Sequence, residues 1–109
     1  MTTIEKVQPV KKGDSIAIIG RRWFDRVNGN TYFSSVAVIN GNQVAEIHFE
    51  YGYGEQYRDS MYNLLYKLGY CSDREKYNNG SNEPFWVYCK RKEVTQYVTH
   101  SDVNRKKDL

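Results

Sequence analysis

The stretch TYFSSVAVINGNQVAEIHF, residues 31–49, decides the fold. Two runs of alternating β-type residues flank Asn40-Gly41, the strongest short-range signal for a hairpin. As a two-residue loop, Asn40-Gly41 sets Val38 opposite Gln43, Val36 opposite Ala45, Ser34 opposite Ile47 and Tyr32 opposite Phe49. Alternation along a strand then gathers those residues on one mostly apolar face. Phe33, Ser35, Ala37, Val44, Glu46 and His48 fall on the other, mixed face. This is the pattern of an antiparallel sheet covered on one side.

Working outward, Ser15–Phe24 reads as a preceding strand, joined to the pair through Val27-Asn28-Gly29-Asn30. The length of that turn is open, so the sequence does not decide whether Trp23 or Phe24 points inward. Downstream, Tyr51-Gly52-Tyr53-Gly54 turns the chain into a helix at Glu55–Leu68. Tyr57, Met61, Leu64, Leu65 and Leu68 recur there on one face, and Gly69 marks its end. Tyr62 and Tyr66 lie well round that helix near Arg58, either exposed or covered by the C-terminal strands.

Cys71–Pro84 is polar, with Asn78-Asn79-Gly80-Ser81-Asn82 as a loop. Phe85–Cys89 and Val94–Val98 are both β-like. Lys90–Glu93 either closes them into a hairpin or belongs to one long strand. The expected class is α+β: a three-stranded antiparallel meander, one packed helix, then one or two C-terminal strands. Residues 1–14 read as an arm, 15–100 as a single domain, and 101–109 as a flexible polar tail.

Composition bounds the function. A chain of 109 residues holds one core, and its 16 Lys and Arg against 13 Asp and Glu leave a charge of only +3. That is far from the basicity of an obligate nucleic-acid binder. No apolar run approaches the roughly 18–20 residues of a membrane span. MTTIEKVQPVKKGD lacks the apolar stretch of a secretion signal, so a cytoplasmic location is expected. The unusual number is ten tyrosines, more than a small core needs and a residue favoured at contact surfaces.

Catalytic chemistry has little to work with. His48 alternates onto a solvent face, and His100 borders the tail. Glu46, His48 and Glu50 in a row on one flat strand face rarely complete a metal shell. Cys71 follows a helix C-terminus, which raises a thiol pKa, and Cys89 reads as a small core residue. Tyr51-Gly52-Tyr53-Gly54 lacks the lysine of a phosphate loop. The expectation is a protein that is not an enzyme and takes no cofactor or metal.

Arg21-Arg22-Trp23-Phe24-Asp25-Arg26 is the richest cluster, because Arg with Trp is the usual anchor pair of an interface. The same pair can hold a phosphate and stack a base. Lys90-Arg91-Lys92 and the tail residues Arg105, Lys106 and Lys107 add a weak basic footprint. Candidate contact residues are Arg21, Arg22, Trp23, Arg26, Tyr53, Arg58, Tyr62 and Tyr66.

These segments carry two resemblances. The β-β-β-α order over about 55 residues resembles the double-stranded-RNA-binding domain, without its first helix. Glu55-Gln56-Tyr57-Arg58-Asp59 stands where that family has phosphate-binding lysines, so no functional residue carries over. Gly20-Arg21-Arg22-Trp23-Phe24, Gly29-Asn30-Thr31-Tyr32 and Tyr51-Gly52-Tyr53-Gly54 resemble small proteins of bacteriophages and prophages, over roughly the first 70 residues. That likeness implies a context, a host cytoplasm, rather than a mechanism. The missing catalytic constellation, the tyrosine surplus and the Arg21–Arg26 cluster lead to the expectation of a non-enzymatic binding protein that masks or inhibits a host or defence protein. The alternative is a small nucleic-acid-binding module. Exposed strand edges leave a homodimer open.

Overall fold

The computed structural model describes residues 7–77 and 80–109. Within them the chain runs β1 (Ser15–Asp25), β2 (Asn30–Ile39), β3 (Asn42–Tyr51), α1 (Gln56–Leu68), α2 (Phe85–Lys92) and β4 (Thr95–Val103). The strands form one sheet in the order β3-β2-β1-β4. The first three are an antiparallel meander, and β4 lies parallel to β1 on its other side. The class is α+β, as the sequence indicates. Among the described residues no helix is long and apolar enough to cross a membrane.

The turn at Asn40-Gly41 forms with both residues at positive φ, 51° and 85°, the geometry whose twist matches a two-residue hairpin. Val38 does face Gln43, but the ladder then shifts: Ala37 pairs with Ala45, Val36 with Glu46 and Ser35 with Ile47. An extra residue on β3 at Val44 makes this bulge. A second shift, between Ser35↔Ile47 and Phe33↔Glu50, moves the strand once more. A one-residue slip exchanges the faces of everything beyond it. The expected inner face of β2 is corrected as well, independently of these shifts, which lie on β3. Phe33, Ser35, Ala37 and Ile39 are the buried residues of β2, while Tyr32, Ser34, Val36 and Val38 look the other way.

The first hairpin also resolves. Asp25 pairs with Asn30 and Trp23 with Tyr32, so four residues form the loop. The Asp25 carboxylate accepts from the Val27 and Asn28 backbone N–H groups at 3.0 and 3.3 Å and fixes the turn. On β1, Ile16, Ile18 and Gly20 are buried, which puts Trp23 on the opposite face. Phe24 shares the covered side but lies beyond the helix, 54% exposed.

The core lies between this sheet face and the two helices. Ile16, Ile18, Phe33 and Ala37 pack with Tyr57, Met61 and Leu65 of α1, each large side chain contributing about 1.5–3 kcal/mol. Gly20 is required there, because a Cβ would sit 2.5 Å from the Tyr57 ring. Gly69 ends α1 in the left-handed conformation at φ 102°, as expected. Leu68, expected in the stripe, is 43% exposed; Tyr62 replaces it, at 5%.

Phe85–Lys92 is a helix, which corrects the strand expected over Phe85–Cys89. Strand propensity of Phe, Trp, Val and Tyr gives way to packing: Phe85, Tyr88 and Cys89 are spaced for one helical face and bury against Tyr62. Pro84 precedes the first turn, Lys90, Arg91 and Lys92 meet the negative end of the dipole, and Glu93 closes it at φ 57°.

A polar clip holds α2 to the segment before it. Glu83, buried, accepts from Arg91 at 2.5 Å, Tyr88 donates to Asp73 at 2.6 Å, and Lys92 pairs with Asp73. Asn78 and Asn79 of the expected loop lie outside the described residues, and Lys76 bridges to Asn82 across it.

The ends are more ordered than expected. Residues 1–6 lie outside the described residues, but Val10 is buried and its N–H donates to the Tyr70 carbonyl at 3.0 Å. Asp14, its carboxyl held below the usual range by the Lys11 N–H and the Asn40 amide, ties the arm to the β2–β3 turn. At the other end β4 continues through Val103, and a 3₁₀ turn at Lys106–Asp108 follows. The first three of the nine residues expected as a flexible tail, 101–103, thus belong to a strand.

Candidate functional site

Both α-helices pack on one side of the sheet; among the described residues no α-helix covers the other, against which only the short 3₁₀ turn Lys106–Asp108 lies. Alternation along β1 and β2, with the second bulge of β3, brings Trp23, Tyr32, Phe49 and Tyr51 onto that uncovered face. Their rings form a ridge. Trp23 stacks on Tyr32 at 5.9 Å between centroids, with 25° between planes. Tyr32 stacks on Phe49 at 4.7 Å and 16°. Tyr51 meets Tyr32 edge-on at 5.7 Å, and Tyr53 continues the run at 5.9 Å from Tyr51. Phe49, Tyr51 and Tyr53 remain 44%, 54% and 66% exposed. Burial is thus incomplete at rings that carry large contact area.

The C-terminal segment flanks this ridge. Lys106 Nζ stands 5.0 Å from the Phe49 ring centroid, a cation–π contact. Arg21 donates from Nη1 to the Asp108 carbonyl at 3.3 Å. Tyr51 has its phenol pushed above the ordinary range by its hydrogen bond with Tyr53.

A second feature lies on the helix side, where β1 and β2 project past α1. Arg22, Phe24, Arg26, Tyr53 and Asp102 line an open cleft of about 360 Å³. Arg22 is fixed at its floor, donating to Asp102 at 3.0 Å, to the Gly54 carbonyl at 2.9 Å and to His100 Nε2 at 2.8 Å. A guanidinium has donors only, so Nε2 of His100 accepts. Nδ1 then carries the proton and donates to the Tyr57 hydroxyl at 3.3 Å. Burial pushes the Tyr57 phenol above its usual range, which keeps it neutral. His100 is therefore a link in a structural chain from β1 to α1, rather than an unpartnered residue at a tail.

The expected contact residues divide among three places. Arg21, Trp23 and Tyr53 belong to the ridge, and Arg22, Arg26 and again Tyr53 to the cleft. Arg58, Tyr62 and Tyr66 sit on α1, behind the sheet. Arg58 is neutralised in its own turn by Glu55 at 2.5 Å and Asp59 at 3.2 Å. Tyr66 lies under the Arg74 guanidinium, 3.7 Å from its ring centroid. Tyr62 is a correction: it is a core residue under α2, and its hydroxyl has no partner among the described residues.

Sequence reasoning missed Tyr32, Phe49 and Tyr51. The unbroken hairpin already places Tyr32 and Phe49 on one face, and the two one-residue shifts of β3 together keep them there; what the pattern misassigned is which face the helices cover.

Reactive groups are subdued elsewhere. Cys71 and Cys89 are buried, and burial pushes each thiol up to about 12, so neither is a thiolate at neutral pH. His48 pairs with Glu46 at 2.8 Å in solvent. Glu50 lies on the helix side, where the Ser60 hydroxyl donates to it at 3.3 Å. The three therefore do not share the face expected of them.

The chain matches no family model, no curated protein and no solved structure. Its order β-β-β-α-α-β also adds a strand, parallel to β1, beyond the helix, three strands and helix of a double-stranded-RNA-binding domain.

Proposed function

We propose that this chain is a binding protein that docks onto another protein through the aromatic ridge, and so masks a surface of it. The carrying observation is the contiguous run Trp23–Tyr32–Phe49–Tyr51–Tyr53 on a sheet face that no α-helix covers. Trp, Tyr and Arg are the residues enriched at interface hot spots. The flanking cations Arg21 and Lys106 favour a partner with acidic groups around an apolar patch. The likeness of the GRRWF, GNTY and YGYG segments to small phage proteins supports a host or defence protein as that partner.

Ring orientation favours a protein over a nucleic acid. A base-binding platform offers open ring faces for stacking. Here Trp23, Tyr32 and Phe49 turn faces toward one another, and Lys106 stands over Phe49, so ring edges and hydroxyls are what a partner meets.

The test is a tagged pull-down from host lysate with and without nuclease, repeated with Trp23→Ala and Phe49→Ala. A protein retained after nuclease should be lost from both variants, each weakening the complex by about 2 kcal/mol. Recovery that collapses on nuclease treatment would replace this reading with the nucleic-acid one. Equal retention by both folded variants would remove the ridge as the site.

A further inference from the structure

The two edges of the sheet are built differently. β3 carries two bulges along with Glu46, His48 and Glu50, the devices by which an edge strand avoids pairing with another chain. β4 carries no bulge and no free carboxylate. Its nine residues, TQYVTHSDV, pair with β1 in unbroken register from Ser15↔Thr95 to Trp23↔Val103. They include no Lys, Arg, Glu or Pro, and the one carboxylate, Asp102, is engaged by Arg22. Seven of the nine are exposed, Tyr97 at 64%. After Val103 the chain turns inward toward Arg21 and Phe49, leaving the edge clear among the described residues.

Which peptide groups face outward is set by one bond. The Thr95 N–H donates to the Asp14 carbonyl at 3.0 Å, so the odd-numbered residues of β4 point their peptide groups at β1. Strand alternation then turns the N–H and C=O groups of Gln96, Val98, His100 and Asp102 to the free edge. From this we infer that β4 pairs antiparallel with β4 of a second copy, about a two-fold axis at Thr99, joining two sheets into one.

The strand is complementary to itself in that register, the one that uses its whole length. Val98 meets His100, Gln96 meets Asp102, Tyr97 meets Ser101 and Thr99 meets Thr99. No like charges stand opposite, and the Gln96 amide faces a carboxylate it can donate to. The four outward residues exchange about eight backbone hydrogen bonds, two for each hydrogen-bonded pair. A contact of one strand width is small, so the dimer forms in a concentration-dependent way. The ridge lies mainly across β1, β2 and β3, and this inference stands or falls independently of it.

The experiment is sedimentation equilibrium on the full chain from micromolar to millimolar concentration, with amide exchange followed by NMR on the same samples. A monomer–dimer equilibrium is expected, with the amides of residues 96, 98, 100 and 102 protected in the concentrated sample and released on dilution. Gln96→Glu, which sets like charges opposite one another at two symmetric places, should weaken the dimer about tenfold. Gln96→Lys, which sets a cation opposite Asp102, should tighten it several-fold. A monomer throughout that range would overturn the inference. So would a dimer indifferent to both variants, or one whose protected amides lie outside β4, which would place the contact elsewhere.

Discussion

The covered and uncovered faces of the sheet are made by the same two strands, residue by residue in alternation, yet they solve opposite problems. Under α1, β1 and β2 present Ile16, Ile18, Gly20 and Ala37, small or aliphatic groups, and the one ring of Phe33, fitted closely beneath Tyr57 and Met61. On the open side they present Trp23 and Tyr32, amphipathic rings that stack on each other and on Phe49 and so shield one another where no α-helix does. The tyrosine surplus divides the same way. Tyr57, Tyr62 and Tyr88 are core, while Tyr32, Tyr51 and Tyr53 form the ridge. A count of one residue type thus carries two meanings, and only the face decides between them.

Substitutions that treat the two faces alike should break this symmetry. The largest effect belongs to Phe33→Ala, which empties the fully covered side and should lower unfolding free energy by about 4 kcal/mol in urea titration. A loss below about 1 kcal/mol would mean that the covered face is less tightly packed than described. Next comes Glu83→Ala in the clip that holds α2 over that face. It leaves Arg91 without its buried partner and should destabilise by about 3 kcal/mol in the same assay.

Acid probes the same clip without mutation. Burial alone would raise the Asp73 and Glu83 carboxyls, but hydrogen bonds from Lys92 and Tyr88, and from Arg91, outweigh it and hold both below 3.8 and 4.5, their ordinary values. A carboxyl depressed on folding stabilises above its unfolded value and loses that contribution as pH falls through its folded one. Near-ultraviolet circular dichroism of the α2 aromatics should therefore stay flat from pH 7 to about 5 and fall below about 4. A loss beginning at pH 6 would point to other groups.

Trp23→Ala then sharpens the contrast. Being only half-buried, Trp23 should contribute about 1 kcal/mol to stability, well under Phe33, although its loss from a complex would be larger. The smallest effect is Ser35→Ala. The Ser35 hydroxyl is buried with no partner among the described residues, so removing it should leave the melting temperature unchanged or slightly higher.

The fold was legible where local chemistry is strong. Asn40-Gly41 gives its hairpin, the Tyr57–Met61–Leu65 spacing gives α1, and Gly69 gives its end. What failed was the choice of covered face. In addition, one residue of excess at Val44 turns Ala45 and Ile47 to that side until the second shift restores the alternation, and nothing in VAEIHF announces it, because Ala, Ile and Phe suit either side. The helix at Phe85–Lys92 failed for another reason. Its aromatic and β-branched letters favour a strand, while its signal is the spacing of Phe85, Tyr88 and Cys89 behind Pro84. As for the site, Trp23, Arg21 and Tyr53 were readable from composition. Their neighbours Tyr32 and Phe49 needed knowledge of which sheet face the helices cover, and the isolation of Tyr62 needed α2.

The parallel pairing of β1 with β4 also sets an order of events. Ser15 meets Thr95, on the order of 80 residues later in the chain, whereas β1, β2 and β3 are joined by tight turns. On a ribosome, β1 would emerge early and find β2 within moments. Its other edge would stay bare until the roughly 80 residues leading to β4 had been made. Until that last strand arrives, the nascent sheet exposes β1, with its aliphatic run Ile16-Ala17-Ile18-Ile19, as a sticky border. Premature termination before residue 95 would therefore do more than shorten the protein: it would leave a half-finished sheet prone to aggregation.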